Sequence, residues 1–367
     1  MAVHCTRGNI ELTYCRACAL VFNRSFDASL LDYGGAYENS LSSSPAFQRY
    51  SDELVTRLCN TYDLHRKEIA GIGSGRGEFL EALCKTGKNY ATGYDPSYGG
   101  EDRAENSRVR FVQDYFSERY ACRPVDFVSC RHVLEHIDEP ARFLAIVRKA
   151  LANKEEAAAY FEVPNGEHVL AGPGLWDIIY PHVSYFTAAT LERLFRLSGF
   201  DIVRGGTSFG DQFLFVEARA GRGEAGGNKE PNSALAIETL IEGFDRRFAQ
   251  AVLGWVNFLR SAFGRGKRVA FWGAGAKGVN FLNLVPLASN IGVIVDANVR
   301  KQGMYVPGTG QLIASPEWLA EYRPDFVIVL NASYQEEIAS TLAAMGVRAA
   351  LVIDPRPAAA AAQCAPR

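Results

Sequence analysis

Four groups of residues in this sequence have the types and spacing to do chemistry. The turn GIGSGRG, residues 71–77, carries Gly73, Gly75 and Gly77, and the turn GAGAKG, residues 273–278, fits a second glycine pattern. Glycine lets backbone come close to a ligand, and a helix that follows such a turn offers its first amides to an anion. An acid ends the strand after each turn, Asp95 in TGYDPSY and Asp296 in VIVDAN. Nucleotide-binding folds place a carboxylate there, about 20 residues on, against ribose hydroxyls. The third group is His182 in YPHVSYF. Imidazole can take a proton near neutral pH, although a core histidine bonded to a carbonyl is the plainer reading of so apolar a stretch. The fourth is the pair Cys15 and Cys18 in YCRACALVF, two thiols on one turn that could share a tetrahedral ion.

These groups need a scaffold, and its pattern is legible. Strands are expected at Glu68 to Ile72, Tyr90 to Tyr94, Val109 to Val112, Phe127 to Cys130 and Ala157 to Val163. The segments EFLEALCKT and ARFLAIVRKAL between them have helical spacing. Strand and helix in alternation imply right-handed crossovers and a mostly parallel sheet. TAATLERLFRLSGF reads as a helix capped near Thr187 and stopped near Gly199, and DIVRG and FLFVEA as strands that close the sheet. After residue 233 a helical pattern carries Ile237, Leu240, Ile241, Phe244, Phe248, Val252, Trp255 and Leu259 on one stripe, as expected of a helix across a domain junction. A second, smaller run of alternating elements follows. The expected class is α/β, a Rossmann-like domain followed by a second, smaller Rossmann-like domain. The expected boundaries are an N-terminal segment 1–45, a domain 46–218, a linker 219–233, a domain 234–355 and a disordered tail 356–367.

Composition narrows the partners. A net charge of -2, with 22% charged residues, provides no basic field for nucleic acid or an anionic membrane. No apolar run is long enough to span a bilayer, and the first residues lack the order of a signal peptide. A cytoplasmic protein acting on a small molecule is expected, and its eight cysteines then read as thiols or metal ligands.

The order GxGxG, Asp95, FVQDYF with Asp114, then DFVSCRHVLEHI resembles the class I S-adenosylmethionine-dependent methyltransferases over residues 67–218. The resemblance implies that S-adenosylmethionine is the cofactor. Gly73, Gly75 and Gly77 would hold its amino-acid part, Asp95 its ribose and Asp114 its adenine, with Arg131 and His132 beside the methyl group. One departure is Gly71, where most members carry an acid.

A closer resemblance covers nearly the whole chain. YENSLSSSPAFQRY, EVPN, WDIIYPHVSYFT, WGAGAKGVNFLN and RKQGMYVPGTG together look like the C-methyltransferases of deoxysugar biosynthesis, which act on nucleotide-linked 4-keto-6-deoxysugars. That family has an N-terminal zinc module, a methyltransferase domain and a C-terminal nucleotide-binding-like domain. It implies that His182 is the base that removes a proton next to a ketone. The enolate left behind needs a donor or positive charge, which a hydroxyl of Tyr180 or Tyr185 or the cofactor's own sulfonium could supply. The resemblance further implies substrate contacts from Tyr185, Asn165 and Lys277, and Tyr37 closing over the cofactor. The family's Glu before this histidine is replaced by Pro181. His136 in LEHI is expected to cap a helix start and is given no chemistry. For the cysteines two readings stay open: a rearranged zinc site of Cys5, Cys15, Cys18 and His4, or a vestigial pair without metal. Two other activities also stay open, an NAD(P)-dependent oxidoreductase working through GAGAKG, and methyl transfer to oxygen or nitrogen.

Overall fold

A computed structural model describes residues 2–31, 40–99, 108–152, 154–172, 174–221 and 237–355. Its fifteen strands are β1 (Leu12–Tyr14), β2 (Val21–Asn23), β3 (Glu68–Ile72), β4 (Tyr90–Tyr94), β5 (Val109–Val112), β6 (Phe127–Arg131), β7 (Ala158–Pro164), β8 (Ser184–Tyr185), β9 (Phe200–Ser208), β10 (Phe213–Ala220), β11 (Val269–Trp272), β12 (Val293–Val295), β13 (Ile313–Ala314), β14 (Phe326–Val329) and β15 (Ala350–Val352).

Seven strands form the main sheet in the order β5-β4-β3-β6-β7-β10-β9. The first five are parallel, and β10 runs antiparallel to both β7 and β9. β3, with every residue after Glu68 buried, and β7, buried from Ala158 to Val163, are covered because helices lie on both faces of the sheet. β9 shows exposed positions along most of its length, as an edge strand must. The strand order reverses between β3 and β6, and such a reversal opens a crevice at the C-terminal ends of the strands. GIGSGRG runs out of β3 into this crevice.

The second sheet repeats the plan with five parallel strands, β13-β12-β11-β14-β15. Its reversal lies at β11, and GAGAKG leaves that strand. The class read from the sequence, two Rossmann-like α/β sheets in tandem, matches this architecture.

Three details differ from the expectations. β10 extends to Ala220, so the start of the expected linker is strand, while residues 222–236 and 356–367 lie outside the described residues. The long helical stripe is interrupted: Gly243 sits at φ 75° and the helix restarts at Phe244, running to Gly264. Ile237, Leu240 and Phe244 pack with Val21 and Leu170, whereas Trp255 and Leu259 belong to the core of the second sheet, so the segment joins two cores as expected of a junction. Finally, β1 pairs with β2 and β2 with β8, three residues after the start of which lies Thr187, so the N-terminal segment is built into the back of the YPHVSYF loop. Among the described residues no helix is long and apolar enough to cross a membrane.

Candidate active site

A cavity of about 1290 Å³ lies where the two glycine turns face each other. Gly71 to Gly75, Asp95, Arg131, His132, Glu135, His136 and His182 line it from the first unit; Gly273, Lys277, Asp296, Lys301 and Asn331 line it from the second. The two units are tied beside it by polar contacts. Gln212 and Asn331 exchange amide hydrogen bonds, Nδ2 of Asn331 donating to Oε1 of Gln212 at 2.7 Å. Glu337 accepts from Ser44 Oγ at 2.7 Å and from the Ala46 amide at 3.0 Å, at the start of the helix Pro45–Thr61.

The first glycine turn is cut for close backbone approach. Gly73, Gly75 and Gly77 have φ of 63°, 54° and 87°, in the left-handed region. A Cβ on Gly73 would meet Val133 at 2.0 Å and one on Gly77 would meet Phe111 at 2.2 Å, yet one on Gly75 would meet nothing within 4 Å. Gly75 is therefore the open floor of the cradle. Asp95, buried beside it, accepts from the Gly75 amide at 2.7 Å and from the Ser97 amide at 2.8 Å. At Gly71 a side chain would drive into Leu80 at 2.5 Å, which explains why no acid fits there. An open glycine floor, an adjacent carboxylate and a cavity of this size fit an adenosyl cofactor. The second turn repeats the arrangement: Asp296 accepts from the Ala274 amide at 2.7 Å and from the Asn298 amide at 2.8 Å, and Lys301 Nζ stands 3.9 Å from it.

Opposite the first turn lies a buried polar cluster. His182 is 6% exposed, and its Nδ1 lies 3.1 Å from the backbone carbonyl of Asp177. A carbonyl can only accept, so Nδ1 carries the proton and Nε2 keeps its lone pair. Burial, with help from His132 and Lys277, pushes the His182 pKa down to about 3, which keeps the ring neutral. His136 packs edge to face on it, centroids 5.0 Å apart, with Nδ1 3.0 Å from the Pro181 carbonyl and a pKa lowered to about 3, first by burial and then by His182. Glu135 completes the group: one ligand-capable atom from each of Glu135, His136 and His182 lies within 4.8 Å of the others. Asp177, which orients His182 through its carbonyl, uses its carboxylate to hold Lys277 Nζ at 2.7 Å.

A second buried centre stands behind Arg131. Glu162 is fully buried and accepts from Arg131 Nε at 2.9 Å and Tyr160 OH at 2.7 Å, and also from Tyr50 OH. Burial alone would raise its pKa, but Arg131, His132 and Tyr50 hold it well below the carboxylate range. The guanidinium also lies 4.4 Å from the Phe79 ring centroid. His132, with φ 55°, brings Nε2 to 3.2 Å from Glu162.

Gly73, Gly75, Asp95, Arg131, His132, His182 and Lys277 thus meet at one cavity, while several expected residues go elsewhere. Tyr180 OH accepts from the Asp27 amide at 2.9 Å and its ring stacks on Phe26; it is turned to the N-terminal segment. Tyr185 is buried in β8 against Val21, its hydroxyl directed to the Ile179 carbonyl. The reason is the sharp turn at 179–183, which sends His182 inward and both tyrosines to its other side. Asn165 caps the helix Gly166–Ala171, accepting from the Glu167 amide at 3.0 Å. Asp114 accepts from the Tyr115 amide at 2.8 Å and from Tyr120 OH at 2.7 Å, outside the cavity lining. His136 caps no helix; it ends the turn Leu134–His136 and lines the cavity. Cys15 and Cys18 are neighbours, with the Cys15 thiol lowered chiefly by hydrogen bonds from Cys18, but Cys5 does not join them in a three-ligand group among the described residues. Two thiols do not complete a zinc site. Tyr37 lies outside the described residues. Glu135, Asp177 and Glu162 escaped the sequence reading. Their one signal was being acids within otherwise apolar segments.

Comparison with known proteins fits this geometry. Residues 45–204 match the family described as a methyltransferase domain, and residues 224–357 match the C-methyltransferase C-terminal domain. The chain thus carries an S-adenosylmethionine-dependent methyltransferase domain. More particularly, it joins this domain to a C-methyltransferase C-terminal domain, and that second match covers GAGAKG, the turn of the oxidoreductase reading. It is 25% identical to C-methyltransferase NovU of Streptomyces niveus, covering 90% of this chain and 81% of that protein. Among solved structures it is similar to the 1,6-didemethyltoxoflavin-N1-methyltransferase of Burkholderia thailandensis (18% identity, TM-score 0.39, 57% of this chain and 99% of the other). It is also similar to the magnesium protoporphyrin IX methyltransferase of Synechocystis PCC 6803 (17%, TM-score 0.36, 47% and 79%).

Proposed function

We propose that this methyltransferase acts on a carbon next to a carbonyl, with His182 as the base, and that the acceptor is a nucleotide-linked keto-deoxysugar or a related natural-product intermediate. The observation that carries the reading is the placement of His182: buried in the cavity wall, with Nδ1 bound to the Asp177 carbonyl and the Nε2 lone pair left for a proton. A carbon acid needs such a base, since its proton must leave before the carbon becomes nucleophilic. Transfer to a hydroxyl or amine makes weaker demands.

Bound S-adenosylmethionine supplies an electrophilic methyl group on a sulfonium sulfur; the turn at Gly73 to Gly77 and Asp95 would hold it. Burial keeps water from His182, and the Asp177 carbonyl fixes the ring in a single tautomer. The second glycine turn offers its amides to the same cavity, with Lys277 and Lys301 beside it, each paired with a carboxylate, Asp177 and Asp296. That half suits the diphosphate of a nucleotide-linked acceptor. The NovU name supports C-methylation, and the acceptor class rests on the motif resemblance together with the second glycine turn at the cavity.

The test is direct. Purified protein with S-adenosylmethionine and a nucleoside-diphosphate 4-keto-6-deoxyhexose should yield a product with one added methyl, located on carbon by NMR, and His182→Ala should abolish it. A methyl found on oxygen or nitrogen would refute the carbon-acid reading.

A further inference from the structure

Enolising a ketone needs two groups, a base for the α-proton and a donor for the oxygen that gains charge. His182 is the base of the reading above, and the hydroxyls of Tyr180 and Tyr185 are directed away from the cavity. What the cavity wall does contain beside His182 is Glu135. It is 1% exposed, lines the cavity, and neither carboxylate oxygen has a hydrogen-bond partner among the described residues. A buried carboxyl left without partners is costly unless something uses it. Its backbone is pinned to the base: the Val183 amide donates to the Glu135 carbonyl at 2.7 Å, so the two side chains are carried on directly bonded segments.

We propose that Glu135 is the acid partner of His182, its carboxyl O–H meeting the acceptor's carbonyl oxygen as His182 removes the neighbouring proton. This rests on the carbon-acid reading and adds to it a residue that takes over, from a different segment, the acid lost at Pro181. The step balances by itself. Nε2 of His182 takes the α-proton, the C–H electrons form a carbon-carbon double bond, and the carbonyl oxygen takes the proton of Glu135 to give an enol. Reversal restores the ketone, the neutral ring and the protonated carboxyl.

The surroundings favour the neutral acid. The charged and titratable groups facing Glu135 are His132, with Nδ1 at 3.9 Å, His136, with Nε2 at 3.8 Å, His182, the buried thiol of Cys130, and the carboxylates Glu162 and Asp177. Burial raises the Glu135 pKa well above the usual carboxylate range, outweighing the lowering by its own backbone N–H, and Asp177 and Glu162 raise it further. Arg131 and Lys277 are committed to those same carboxylates and not to Glu135. A carboxylic acid kept neutral by an apolar site so that it can donate to an enolate is known chemistry.

Two measurements test it. Infrared spectroscopy of the whole protein at neutral pH should show a protonated carboxyl C=O band that disappears in Glu135→Gln; if that band is absent and Glu135 is ionised, the proposal fails. Second, α-proton exchange of thymidine- and uridine-diphosphate 4-keto-6-deoxyhexoses is followed by NMR in D2O without cofactor. Glu135→Leu should slow exchange about 100-fold, with Glu135→Gln intermediate and probe affinity kept within about threefold. Wild-type exchange that is untouched in Glu135→Leu overturns the acid role and leaves the carbon-acid reading standing. No exchange by the wild-type protein counts against that reading for these probes, and the infrared band still decides the state of Glu135. A metal ion that co-purifies and is lost in Glu135→Gln would overturn the proposal in favour of a cation at this cluster.

Discussion

Lys277 and His182 are joined through a single residue. Nζ of Lys277, on the helix Ala276–Leu284 of the second unit, lies 2.7 Å from the Asp177 carboxylate, while the Asp177 carbonyl holds Nδ1 of His182 at 3.1 Å. Docking of the C-terminal unit and orientation of the imidazole are therefore coupled. The loop carrying Asp177 is held on the same side by Asn280, whose Nδ2 donates to the carbonyls of Trp176 at 3.1 Å and Ile178 at 2.8 Å.

This relationship can be tested by a double-mutant cycle. Lys277→Met leaves a mostly buried Asp177 carboxylate without its partner and should cost about 2 kcal/mol of stability, and Lys277→Met with Asp177→Asn should recover most of it. Urea unfolding measures both. Additive losses would mean that the pair carries no coupling.

The glycine turn separates cofactor binding from folding. Gly75→Ala places a methyl in open space at a strained φ, which should cost about 1–2 kcal/mol of stability. Because the methyl stands on the cradle floor, affinity for S-adenosylhomocysteine, read by calorimetry, should fall at least about tenfold. Gly73→Ala drives Cβ into Val133 as well, and should lower the melting temperature much further.

The buried histidines set a pH dependence. His136 and His182 are neutral in the folded protein down to about pH 3, whereas in the unfolded chain they protonate near pH 6.5. As pH falls below 6.5 the unfolded state binds more protons, so stability should fall by up to about 1.4 kcal/mol per pH unit for each ring. His136→Asn should lessen the slope of stability against pH between 6.5 and 5, measured by urea unfolding.

Glu135 gives the opposite sign. Its folded pKa is raised, so its contribution is fully present below about pH 4.5 and is lost as pH rises towards the folded value. Glu135→Gln should therefore raise the melting temperature at pH 8 and leave it nearly unchanged at pH 4. An equal effect at both pH values would argue against a neutral Glu135.

Tyr180 distinguishes what the sequence suggested from what the structure contains. Its hydroxyl bonds the Asp27 backbone, so Tyr180→Phe should leave methyl transfer within about twofold and weaken docking of the N-terminal segment by about 1 kcal/mol, seen as faster proteolysis near Asp27.

Local pattern determined much of this protein. Glycine spacing, the acids after β4 and β12, and alternating strand and helix depend on neighbours within a few tens of residues, and they were enough to foresee two Rossmann-like sheets and to bring Gly73, Gly75 and Asp95 forward, whereas the roles of His182 and Lys277 came from the resemblance. The helix cap at Thr187 was legible for the same reason. Tertiary structure alone decided which neighbours meet. Glu135 and His182 are brought together by the pairing of the Val183 amide with the Glu135 carbonyl, across many residues, and no periodicity records such a contact. Tyr180, two residues from His182, left the site because a turn rather than a strand carries it, and β8 recruited the N-terminal hairpin. Spacing along a chain fixes which elements form; the charge state of a buried carboxyl and the tautomer of a buried ring depend on what the packed elements enclose, and that exists only once the chain is folded.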